Sequence, residues 1–148
     1  MYSIKSIDSL LQNELSALET YQQVLGTLGN RTKLGELDFL MSIYEEHKEA
    51  AFSLQDKIQH LGGIPSQNSG AWGAWAKIIQ AGANLLGKHS ALKVLREGEL
   101  TGAEEYAKAL MDHQLPSDIR ALIENKLLPA QQRHMRTLDR LLDTVMTA

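Results

Sequence analysis

Residues 4–28 read IKSIDSLLQNELSALETYQQVLGTL, and their inward candidates are Ile4, Ile7, Leu11, Glu14, Leu18, Tyr21, Leu25 and Leu28. The steps run 3-4-3-4-3-4-3, the recurrence that puts side chains on one face of an α-helix, and the stretch stops at Gly29-Asn30, a pair that favours a helix C-terminus. One acid, Glu14, interrupts an otherwise apolar seam. The same rhythm returns over about residues 32–61 with Leu37, Leu40, Tyr44, His47, Ala51, Leu54, Ile58 and Leu61, ending at Gly62-Gly63. Here the polar member is His47.

A third helix is expected from an N-cap at Ser90 to about His113, with Leu92, Leu95, Glu99, Ala103, Tyr106 and Leu110 facing inward. Pro116-Ser117-Asp118 opens a fourth, whose later half steps Leu127, Gln131, His134, Leu138, Leu141, Val145. Pro129 lies inside it, and its missing N–H and its ring predict a bend there. Between helices two and three, residues 62–89 are Gly-rich at first and then carry a short apolar stripe of Trp72, Trp75, Ile79, Ala83 and Leu86. Short links elsewhere and one long crossover containing a short helix give an all-α, up-down-down-up four-helix bundle occupying residues 1–148 as one domain. Two tryptophans on one stripe are expected to pack across the bundle, since free exposure of that area is unfavourable.

Composition narrows the functions. With 148 residues, 43% hydrophobic and 22% charged, the chain can bury a core. Fifteen Lys plus Arg against eighteen Asp plus Glu, scattered along the chain, leave no basic face for nucleic acid. Cysteine is absent, which excludes thiol catalysis and zinc–thiolate sites. No stretch approaches the roughly 18 apolar residues of a membrane span. A cytoplasmic protein without nucleic-acid or membrane partners is the expectation, with self-association through helix faces or the Trp72/Trp75 segment as the candidate partnership.

Counted from the predicted helix ends, Glu14, His47, Glu99, Gln131 and His134 fall within about 10 Å along the bundle axis at 1.5 Å per residue. Carboxylates and imidazoles converging from four helices are what metal ligation in a bundle core requires. A buried polar layer that fixes helix register by hydrogen bonds among Glu14, Tyr21, His47 and Gln131 uses the same residues without metal. Glu97, Glu104 and Glu105 replace Glu99 if the phase of helix three differs. In "YEEHKEA", Glu45, Glu46 and Glu49 are expected to face solvent, while His60, His89 and His113 fall near helix ends, where hydrogen bonds to terminal carbonyls are their expected role.

The stretch LLQNELSALETY resembles the first helix of bacterioferritin-type proteins, with Glu14 at the place of a ligand glutamate and Tyr21 seven residues on. LGGIPS at 61–66 is similar to the turn ending that family's second helix, and Gln131 to His134 falls where the fourth carries Glu-x-x-His. LGG and LPSDIRAL resemble more closely an uncharacterised bacterial ferritin-like family, known only as a domain of unknown function. The resemblance implies a ferritin-like fold. It also shows departures: His47 stands at the bridging-glutamate place of helix two, Ala50 at its histidine place, and Gln131 at the fourth-helix glutamate place. Lys48 occupies the haem-methionine place, so haem is not implied. The ligand set left by the comparison is Glu14, His47, Glu99 and His134, supported by Tyr21 and Gln131. Two carboxylates and two imidazoles can hold one Fe(II), Mn(II) or Zn(II), in a metal- or stress-related role without ferroxidase turnover. A metal-free interaction module is the alternative.

Overall fold

Residues 4–28 have one economical way to bury side chains recurring every three or four positions, and in the computed structural model they form the helix α1 (Ile4–Leu28). It is followed by α2 (Leu34–His60), α3 (Lys88–Leu110), α4 (Ser117–Leu122), a π-helical turn (Ile123–Leu127) and α5 (Leu128–Thr147). The structure describes residues 3–28, 34–69, 75 and 87–147, and no strand occurs among them. The short helix expected in the crossover, with Trp72, Ile79, Ala83 and Leu86, lies outside the described residues. Trp75 is described, and it is buried.

The helix ends follow local chemistry. α2 closes where Gly62 adopts φ +83°, a left-handed conformation that glycine takes without steric penalty. The Gly62 and Gly63 amides donate back to Gln59 and Ile58 (3.0 Å each), and a Cβ on Gly63 would lie 2.7 Å from Ile4 Cγ2. Because the chain reverses here, Leu61 does not complete the inward seam as expected; it is 47% exposed. α3 begins before the expected Ser90 cap, with Gly87 in the cap position and no side-chain cap bond. Lys88 is fastened to Glu36 of α2 at 2.8 Å, which draws the first turn onto the bundle. The helix also stops at Leu110, short of His113, and the Arg120 guanidinium donates to the Leu110 and Asp112 carbonyls (2.8 and 2.7 Å).

Ahead of Pro129, where a bend is expected, the helix carries a π turn, in which the Leu128 amide donates five residues back to Ile123. Buried residues here step by four: Ile119, Ile123, Leu127, Gln131. Three such steps overrun a helix of 3.6 residues per turn by roughly 120°, and the extra residue of a π turn removes most of that drift. Gln131 and His134 are thereby brought to the core side.

Two apolar clusters fill the bundle. One joins Ile7, Leu11, Leu54, Ile58, Ile119 and Ile123, and the other joins Val24, Leu28, Leu40, Leu92, Leu95 and Leu138. Between them lies a layer containing buried Glu14, His47, Glu99, Gln131 and His134. Tyr21, seven residues after Glu14, donates to Glu99, and Tyr106, seven after Glu99, donates to Glu14. Such crossed pairs require α1 and α3 to run antiparallel. With α2 folded back on α1, the topology is up-down-down-up.

After α2 the chain turns back along α1. Asp8 accepts from the Ser66 amide and hydroxyl (2.8 and 2.5 Å), and Glu19 accepts from the Ser69 hydroxyl (2.6 Å). Further on, the Trp75 ring lies on Gly98 of α3, where an added Cβ would meet the ring at 2.3 Å. Gly98→Ala is therefore expected to cost about 1–3 kcal/mol of unfolding free energy, read by urea denaturation, because the rigid indole cannot yield as a flexible chain end would. An unchanged midpoint would show that Trp75 is free to leave its seat.

Candidate metal centre

The layer is built on the fixed spacing of four rods. α1 supplies Glu14, α2 His47, α3 Glu99 and α5 both Gln131 and His134, all at most 3% exposed. His47 stands between the two carboxylates. Its Nδ1 lies 2.6 Å from Glu14 Oε2, and its Nε2 lies 2.6 Å from Glu99 Oε1. Carboxylate oxygens facing both ring nitrogens accept from both, so the ring is an imidazolium. Burial alone would lower the His47 pKa, but Glu99 and Glu14 outweigh it and raise it to about 10.

The carboxylates are fully engaged. Burial pushes Glu99 up, yet the His47 charge, with the hydrogen bond from His134, brings it down to about 2. Its Oε1 also accepts from the Tyr21 hydroxyl at 2.8 Å, and His134 Nδ1 faces its Oε2 at 3.2 Å. Glu14 Oε1 accepts from the Tyr106 hydroxyl at 2.5 Å. Burial next to these anions raises both tyrosines well above the usual phenol range, so they remain donors. Trp75 closes one side of the layer, edge-on to His47 at 82° with centroids 5.9 Å apart.

The structure therefore brings Glu14, His47, Glu99 and His134 together, with Tyr21 on Glu99. Gln131 serves a different contact: its amide donates to the Glu99 backbone carbonyl at 3.0 Å, over Gly102. Glu14 lies on the far side of the His47 ring from Glu99. One donor atom from each of His47, Glu99 and His134 lies within 4.8 Å of the other two, and together they form the metal-competent group. His60 does bond a terminal carbonyl, that of Asp56, at 2.8 Å.

Two participants were not read from the sequence. Seam periodicity gives Tyr106 a place in helix three and no partner, although NELSALETY at 13–21 and GELTGAEEY at 98–106 carry the same Glu-x6-Tyr pattern, an internal repeat that points to it. Glu46 was expected to face solvent. Instead its Oε1 lies 3.3 Å from His134 Nε2 and 3.2 Å from Arg133 Nη2, with its side chain 31% exposed. Its long side chain reaches across the seam between α2 and α5, which periodicity along one helix does not register.

An all-helical, up-down-down-up bundle with one long crossover defines the ferritin-like fold. A crystal structure described as ferritin-like, diiron-carboxylate proteins from Bacillus anthracis strain Ames shares it, with a TM-score of 0.75 over 94% of each chain at 21% identity. No protein-family model and no curated protein matches the chain.

The donors do not fit a two-metal carboxylate centre. Among the described residues two carboxylates are buried in the layer, Glu14 and Glu99, while Glu46 reaches only its half-exposed edge; Ala50 is packed in the apolar cluster with Leu11 and Leu54, and Gln131 turns its amide to the backbone. Charge balance for two divalent ions would need more anionic oxygen than Glu14 and Glu99 supply. One divalent ion fits the His–Glu–His group, with Glu14 accepting from Nδ1 of His47 so that Nε2 points inward, the usual orientation of a ligand imidazole by a carboxylate behind it.

Proposed function

We propose that this ferritin-like protein holds one divalent metal, Fe(II), Mn(II) or Zn(II), through His47, Glu99 and His134. The observation that carries the reading is three buried donors from three helices within 4.8 Å. His47 yields its Nε2 proton on binding, Glu14 fixes its ring, and Tyr21 and Tyr106 hold the two carboxylates in place. Bound there, the metal supplies a cationic centre screened from water by the two apolar clusters. The role is metal binding in a metal- or stress-related setting, in place of the two-metal chemistry named for the Bacillus anthracis structure.

Metal analysis of protein purified without chelator or immobilised nickel is expected to give at most one metal per chain. Reconstitution with Co(II) should saturate at one equivalent, and His134→Ala should lower occupancy and melting temperature together. Two equivalents at saturation, or rapid oxygen-dependent Fe(II) oxidation, would overturn the single-site reading. A second reading is supported by the close ion pairs of His47: a layer already neutralised by imidazolium, fixing register in a metal-free interaction module. In that case neither chelation nor Co(II) changes the melting temperature.

A further inference from the structure

The two seams that join the helical hairpins differ. Along the α1/α3 seam, Trp75 lies on Gly98 and stands beside Tyr21 at 5.8 Å between centroids, so the crossover covers the layer there. Along the α2/α5 seam no such aromatic lid is described. Instead, Glu46 of α2 faces His134 and Arg133 of α5.

The side chains of Glu14, His47, Glu99 and His134 are at most 4% exposed, whereas that of Glu46 is 31% exposed and touches His134 directly. One oxygen carries both of its contacts. Oε1 lies 3.2 Å from the Arg133 guanidinium, itself 54% exposed, and 3.3 Å from His134 Nε2. His134 in turn presents Nδ1 to Glu99, 3.2 Å away. The α2/α5 seam thus holds a relay that runs from a solvent-facing carboxylate through an imidazole to the buried carboxylate. A surface cation, Arg133, occupies its outer end.

We propose that Glu46 is the gateway residue of the metal centre and that Arg133 is its latch. This rests on the single-metal reading above. Glu46 gathers divalent cations at the seam in exchange for Arg133, whose guanidinium it holds through an exposed contact worth little in water. His134 then turns the shared cation inward to Glu99. A gateway acts on passage in both directions, so it changes uptake and release together and leaves the equilibrium affinity nearly untouched. A ligand changes the affinity.

Co(II) is a suitable probe, since its visible d–d absorption reports nitrogen and oxygen ligation without any enzymatic readout. In stopped-flow mixing with the full chain, Glu46→Gln is expected to slow Co(II) uptake about tenfold, within the range by which local charge alters association rates. Release to excess chelator should slow by a similar factor, with the dissociation constant within about threefold of wild type and one equivalent still bound. Arg133→Ala should speed both by several-fold. Glu45→Gln, on the exposed face where Glu45 pairs with Lys48, should leave both unchanged. Wild-type rates in Glu46→Gln would overturn the gateway while leaving the metal site intact. So would loss of Co(II) affinity with unchanged uptake, which makes Glu46 a ligand. If wild-type protein takes up no Co(II), the single-metal reading fails and the gateway with it.

Discussion

His47→Ala is expected to remove about 3–5 kcal/mol of unfolding free energy from the metal-free protein at pH 7.5, the usual cost of stripping one partner from a buried ion pair. The loss does not come from apolar packing, because the imidazole stands between carboxylates. Without it, Glu99 keeps the desolvation that raises its pKa and loses the largest influence that lowers it. Two buried carboxylates then face one cavity, and the cheapest relief is to take up a proton. The deficit should accordingly shrink at pH 4.5, as measured by urea unfolding at the two pH values. Should His47→Ala fail to fold, His47→Ala combined with Glu99→Gln provides the check. Removing a charge along with its partner should recover part of the stability. A single variant as stable as wild type at pH 7.5 would show that the ion pairs contribute nothing net.

The layer was legible in the sequence because Glu14, His47 and Glu99 each break an apolar seam at a seam position, and a helix of fixed rise converts sequence distance into height. His134 was placed by the same arithmetic, although the helix that carries it is not regular: the π turn that sets its phase follows from steps of four at Ile119, Ile123, Leu127 and Gln131. Periodicity counts positions and not contacts, so it missed partners that depend on neighbouring helices. Tyr106 donates to Glu14 across the bundle, and Glu46 reaches His134 from the flank of α2. Gly98 and Gly102 escaped notice for a related reason, since their value lies in what they let approach, Trp75 and the Gln131 amide. The repeat of Glu-x6-Tyr in α1 and α3 explains why the layer closes so completely, since each half of the chain supplies the donor that satisfies the other half's carboxylate.

The metal-free and metal-loaded proteins are expected to differ most in their response to alkali. Without metal, the folded chain keeps the His47 proton up to about pH 10. The unfolded chain releases it near the ordinary histidine value of roughly 6.5. Between these values the native state binds one proton more, so stability falls by about 1.4 kcal/mol per pH unit, and the contribution is fully present only below roughly pH 6.5. Over the whole window the loss is on the order of 3–5 kcal/mol, a large share of the stability of a domain this size. Above it, Tyr21 and Tyr106 act in the same direction, because their raised pKa values keep protons that the unfolded chain gives up. On the acid side, Glu99 is held near 2, so its contribution is present above roughly pH 4.5 and disappears as pH falls towards 2. A metal on Nε2 of His47 stands where that proton stood. The loaded native state and the unfolded chain then carry the same number of His47 protons above neutrality, and the slope between about pH 7 and 10 should vanish. Melting temperatures across that range, with chelator and with one equivalent of Co(II), are expected to diverge steadily. Parallel curves would mean that the metal does not bind at His47.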